Sequence, residues 1–152
     1  MVTTAAVTEP TGRRLTVACL AGLLPGLVMW LVNALITGQV LCTNQGFNCL
    51  GVALLAFPLG VVFGAGLAWL ALHLAGVGQA WRIALLGPAG IWAVGRVLTE
   101  LSVPLPQPVL LLLYGMLGYL VAAFATASRV AWPWRLGVTL LVLVPALLLT
   151  AG

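Results

Sequence analysis

Long apolar blocks run along this chain, separated by short polar or proline-rich stretches. The blocks predict membrane-spanning α-helices at about 15–37, 49–74, 82–101, 109–127 and 134–150. The first, Leu15 to Thr37, is roughly 34 Å long at ~1.5 Å per residue, enough to cross a hydrocarbon core of about 30 Å with some tilt. Its Arg13-Arg14 prelude also fits an export signal. A cleaved signal has an apolar core of about 7–15 residues and a small-x-small site. This run is longer and no such site follows, so the segment reads as an uncleaved first span.

The breaks between blocks are polar or helix-breaking. GQVLCTNQGFN over 38–48 is a loop, Gly76-Val77-Gly78-Gln79 turns the chain, and SVPLPQP over 102–108 has three prolines and cannot be a helix interior. Ser128 to Pro133 closes the fourth block. The fifth is the shortest, Pro145 is expected to kink it, and a half-inserted segment is its alternative. Residues 1–12, MVTTAAVTEPTG, are small and polar and are expected to be a disordered cytoplasmic tail. The predicted fold is all-α: a polytopic bundle of five transmembrane helices, in a single domain over 13–152.

Composition narrows the class. Of 152 residues, 63% are hydrophobic and 5% charged, against about 25% charged in soluble chains. That excludes an ordinary globular enzyme and makes the lipid bilayer the first partner. The six basic residues are all Arg, and with the Ala/Gly richness they suggest a GC-rich bacterial genome and a bacterial cell membrane. They are scattered and form no nucleic-acid patch. As topology signals they are consistent: with the N-terminus in the cytoplasm, Arg13, Arg14, Arg82, Arg129 and Arg135 all fall at the cytoplasmic face, with Trp69, Trp81, Trp132 and Trp134 near it. Arg96 is the exception, and the C-terminus is extracytoplasmic.

Lipid gives helices no hydrophobic reason to associate, so contacts are expected where small residues let backbones approach. The second span carries Ala56, Gly60, Gly64 and Ala68 at four-residue spacing; the fourth carries Gly115, Gly118, Ala122 and Ala125; the first has Gly22 and Gly26 around Pro25. These are the predicted packing faces, within the chain or against a second one.

Candidate chemistry is sparse. Arg96 and Glu100 lie four apart on one face of the third span, within ion-pairing reach. Asn33 and Tyr114 should share their depth, so an outward-opening polar site at Arg96, Glu100, Asn33 and Tyr114 is the candidate. A structural ion pair and snorkelling to the headgroups are its competitors. Cys42 and Cys49 bracket six residues of the outer loop and are expected to form a structural disulfide. A redox pair is the alternative, although the spacing is not Cys-x-x-Cys. His73 is the only histidine, so no metal or haem site of paired histidines is implied. The two acids, Glu9 and Glu100, build no catalytic constellation, and no cofactor is implied.

The functional expectation is a non-enzymatic accessory, immunity-type or oligomer-forming membrane protein whose partner is itself or another membrane protein. The alternative is a carrier or channel component for a small solute or lipid, using the Arg96/Glu100 site and the in-span prolines Pro25, Pro58, Pro88 and Pro145. An extracytoplasmic thiol oxidoreductase comes third. The arginine distribution makes a direct prediction: a reporter fused after Gly152 should be active outside the cytoplasm. Activity only on the cytoplasmic side would mean that the fifth segment does not cross.

Overall fold

The computed structural model describes residues 11–40, 47–102, 104–128 and 130–151. Its helices are α1 (Thr11–Ala21), α2 (Leu23–Thr37), α3 (Phe47–Leu74), α4 (Ala80–Glu100), α5 (Gln107–Ala125) and α6 (Trp132–Ala151), with no strand among the described residues. Because α1 and α2 lie end to end, they make five segments, each long and apolar enough to cross a membrane.

The first span begins at Thr11, so Arg13 and Arg14 stand in the first turn of a helix and the expected tail extends no further than residue 10 among what the structure describes. Its interruption at Gly22 has a local cause. Pro25 lacks an N–H, and its ring crowds the carbonyl four residues earlier, which belongs to Ala21, the last residue of α1. Across the joint the Gly26 N–H reaches the Gly22 carbonyl at a stretched 3.4 Å.

The last two helices begin two residues earlier than the breaks in the sequence suggest. In each case a proline, Pro108 or Pro133, occupies the first turn, where its missing N–H has no intrahelical partner to lose. The fifth span is thereby a 20-residue helix, about 30 Å long. The α3–α4 turn is set by Gly76 at φ +69°. Its N–H donates to the His73 carbonyl at 3.0 Å and that of Val77 to Leu72 at 3.0 Å, which closes the end of α3 as a Schellman motif. Leu72 and Val77 are both buried in the core.

Five passes place the start of α1, the ends of α3 and α5 and the starts of α4 and α6 at one end of the bundle. Arg13, Arg14, Arg82 and Arg135 are at that end, and Arg129 lies outside the described residues. α5 is the central helix and touches α1, α2, α4 and α6; α3 bridges the first span and α4, and α6 leans on α4 and α5.

Glycine makes the central crossings possible. A Cβ on Gly22 or on Gly115 would overlap the carbonyl oxygen of the other, and one on Gly90 would overlap the Gly118 carbonyl. Gly26 faces the Leu111 carbonyl, and a Cβ on Gly64 would lie 2.8 Å from the Pro25 Cα. Gly60 meets Met29 and Val32, Ala68 and Ala122 are buried, and Ala56 and Ala125 are half-buried. These small-residue faces therefore meet neighbours of the same chain. Where α4 meets α5, the Tyr119 ring fills the space left by the missing side chain of Gly87. Tyr119 is fully buried, and its hydroxyl has no hydrogen-bond partner among the described residues.

These crossings predict that Gly118→Val lowers the unfolding midpoint in detergent, since overpacking a tight contact costs about 1–3 kcal/mol. Gly51, with nothing within 4 Å of a Cβ, is the control, and Gly51→Val should leave the midpoint within a degree or so of wild type. Equal midpoints for the two variants would rule out the close α4–α5 crossing. Tyr119→Phe should be neutral or stabilising, because it removes a hydroxyl buried without a partner, a group whose burial costs about 1–3 kcal/mol.

Candidate functional site

At the end of the bundle opposite the arginine-rich one, the structure separates residues that the sequence puts at one depth. Arg96 is half-buried on α4, and its Nη2 donates to the Leu149 carbonyl at 2.8 Å. Leu149 is in the last turn of α6, whose final carbonyls have no partner within their own helix. Glu100 is exposed and forms no ion pair with Arg96. The Arg96–Glu100 ion pair, one of the competing readings, is not formed, and Arg96 instead bonds to the end of a different helix. The reason lies in the choice of acceptors: the α6 carbonyls would otherwise be stranded, whereas Glu100 is the last residue of its helix and is exposed.

Tyr114 packs its ring on Gly95 and points its hydroxyl at Thr99, with 3.5 Å between the oxygens. The Thr99 hydroxyl itself donates to the Gly95 carbonyl at 2.6 Å. Asn33 is half-buried on α2 and forms no hydrogen bond with Arg96, Glu100 or Tyr114. The four candidates thus resolve into an arginine facing α6, a tyrosine facing α4, an exposed acid and a separate asparagine. No direct hydrogen bond among the described residues joins any two of the four.

The arginine-rich end holds the tighter polar arrangement. Arg14, only 9% exposed, donates from Nη2 to the Thr126 carbonyl at 3.1 Å and to the Thr126 hydroxyl at 2.8 Å. Thr126 caps α5, and its hydroxyl donates to the Ala122 carbonyl at 2.9 Å. Arg13 does the same for α3, donating from Nη2 to the Ala75 carbonyl at 3.2 Å. Two adjacent arginines thus hold the carboxyl ends of two spans, where the helix macrodipole favours a cation by about 0.3–1 kcal/mol, and by up to ~2 in partly buried geometry. The twin arginines have a sequence signature as topology signals, but none as clamps, since their acceptors are backbone carbonyls far along the chain.

Around them, Arg82 lies over the Trp81 ring at 5.3 Å and Arg135 over Trp132 at 5.6 Å, in cation–π contacts. His73 stacks on Trp69 with ring centroids 5.5 Å apart. Cys19 is a free, half-buried thiol on α1. Cys42 lies outside the described residues, so its pairing with Cys49 stays an expectation. Among the described residues no group of three His, Cys, Asp or Glu comes together to hold a metal ion.

Comparison with family models, curated proteins and solved structures gives no match. What the fold defines is a class: an all-helical bundle with five helices suited to crossing a membrane.

The clamp at Arg14 predicts that Arg14→Met destabilises the protein by about 1.5–3 kcal/mol, the range of hydrogen bonds to charged groups. Thr126→Val should reproduce part of that loss. Glu100→Gln should stay within about 0.5 kcal/mol of wild type, as a surface change does. Chemical unfolding in a fixed micelle reads all three. An Arg14→Met midpoint equal to that of Glu100→Gln would show that the clamp contributes nothing.

Proposed function

We propose that this chain is a non-enzymatic accessory protein of a bacterial cell membrane, acting through helix contacts with another membrane protein or with further copies of itself. The observation that carries this reading is the closure of the bundle interior. Helices cross backbone against backbone at Gly22–Gly115 and Gly90–Gly118, and Arg13, Arg14 and Arg96 are each bonded to a helix-end carbonyl. These arginines serve the architecture of the bundle. The surface offered to a partner is apolar: α6 turns Leu140, Leu141, Leu147 and Leu148 outward, and α3 turns Leu50, Leu54, Leu55 and Leu59 outward.

In this reading the arginine-rich end faces the cytoplasm by the positive-inside rule, and the carboxyl end of α6 faces outward. The Cys42–Cys49 disulfide then forms in the oxidising compartment and pins the loop between α2 and α3, a constraint worth about 2–3 kcal/mol for so short a loop in the chain-entropy model.

Reconstitution tests the proposal. Sealed vesicles containing the protein should be as tight to protons, potassium and small anions as empty ones, and cysteines at Leu141 and Leu148 should cross-link in native membranes to a second copy or to a discrete membrane protein. Protein-dependent flux abolished by Arg96→Ala would replace this reading with a carrier. Absence of any cross-link at either position would remove the outer face of α6 as the contact.

A further inference from the structure

Between α3 and α4, at the arginine-rich end, a groove of about 490 Å³ opens sideways, within the roughly 300–1,000 Å³ of small-molecule sites. Its walls are apolar: Val61, Val62 and Ala65 on α3, and Ala84, Leu85 and Pro88 on α4. Gly66 also lines it, exposed, and a Cβ there would meet nothing within 4 Å. The glycine there is required by no neighbour within the chain, and its effect is to leave the groove open. From Val61 to Trp69 the groove spans about 12 Å of helix, comparable with the ~15 Å of one hydrocarbon leaflet.

The mouth differs in kind from the walls. Trp69 and Trp81 line it, and each carries a nitrogen-bearing side chain on its ring: His73 stacks on Trp69 and Arg82 lies over Trp81. The Gln79 side chain accepts a hydrogen bond from Arg82 Nη1 at 3.4 Å and so holds the guanidinium beside the start of α4. That helix start has no side-chain cap bond and no acid in its first turn, so the positive end of the dipole lies at the end of α4 where Trp81 lines the groove. The only carboxylate among the described residues, Glu100, is at the opposite end of the bundle.

We propose that this groove is a binding site for one anionic phospholipid of the arginine-side leaflet. An acyl chain lies along Val62, Gly66 and Leu85, the glycerol region sits between the two tryptophans, and the phosphate is held by Arg82 and the N–H groups at the start of α4. Apolar walls alone would accept any lipid; the cationic mouth selects the anionic one.

Native mass spectrometry of delipidated protein tests this, with phosphatidylglycerol and phosphatidylcholine titrated separately and glycerol phosphate as soluble competitor. The wild type should retain one phosphatidylglycerol at least about fivefold more tightly than phosphatidylcholine, the order expected of one well-placed arginine near an anionic headgroup. Arg82→Gln should bring the two lipids level. Gly66→Leu should put a side chain into the groove and abolish retention of both, and Leu85→Trp, which narrows the groove from its other wall, does the same independently should the glycine variant fail to fold. Equal retention of the two lipids by the wild type would overturn the proposal. So would undiminished retention in a folded Gly66→Leu or Leu85→Trp variant, or displacement by glycerol phosphate at concentrations comparable with the lipid, which would mark an anion site with no role for the groove.

Discussion

The structure depends on how near two helix backbones can come when the solvent is hydrocarbon. Water does not drive these helices together, so cohesion comes from dispersion and polar contact at short range, both of which fall away quickly with distance. α5 meets this constraint on several sides. Gly115 lies against Gly22 of the first span, Gly118 against Gly90 of α4, and Ala122 is buried one turn further on. α6 lacks such contacts and is the most lipid-exposed of the spans. It is held instead by a few residues, among them Ala146 and the carbonyl of Leu149 that Arg96 engages.

Polar groups in this chain do a task that glycine cannot. A helix ends with carbonyls that its own backbone leaves unpaired, and in or near a membrane water is a poor remedy for them. Arg13, Arg14 and Arg96 each supply donors to such an end, on α3, α5 and α6 respectively. An ion pair between Arg96 and Glu100 would have satisfied two side chains of one helix and left the α6 carbonyls as they were. The observed arrangement joins two helices, and it leaves the single described acid exposed at the end of α4.

Much of the fold was legible because its causes are local. Long apolar blocks announce spans whatever their partners, and the stripes in α3 and α5 show themselves by regular spacing of small residues. The face of α4 escaped that reading, since Ala84, Gly87, Gly90 and Ala93 mix three-residue steps with larger neighbours such as Ile83 and Val94. Helix starts were read two residues late at Pro108 and Pro133, because a proline interrupts a helix interior but is well suited to a first turn. The candidate site was legible only as a depth. Depth follows from position along a span, whereas azimuth depends on which helix lies alongside, and Arg96 faces α6 while Tyr114 faces α4. The groove between α3 and α4 was illegible for the same reason, since it exists only between two helices and one of the residues that leave it open is a glycine.

The Arg14–Thr126 bond also orders events in time. Its two residues are 112 positions apart in the chain, so at synthesis rates of about 5–20 residues per second the arginine precedes its acceptor by roughly 6–22 s. During that interval Arg14 is without its Thr126 acceptors, and Gly22 has not yet met Gly115. The amino-terminal segment therefore acquires its final seat only after the fourth span has been inserted. A chain that stalls before α5 lacks both this bond and the Gly22–Gly115 crossing, so the first span of an incomplete copy is packed differently from that of a finished one.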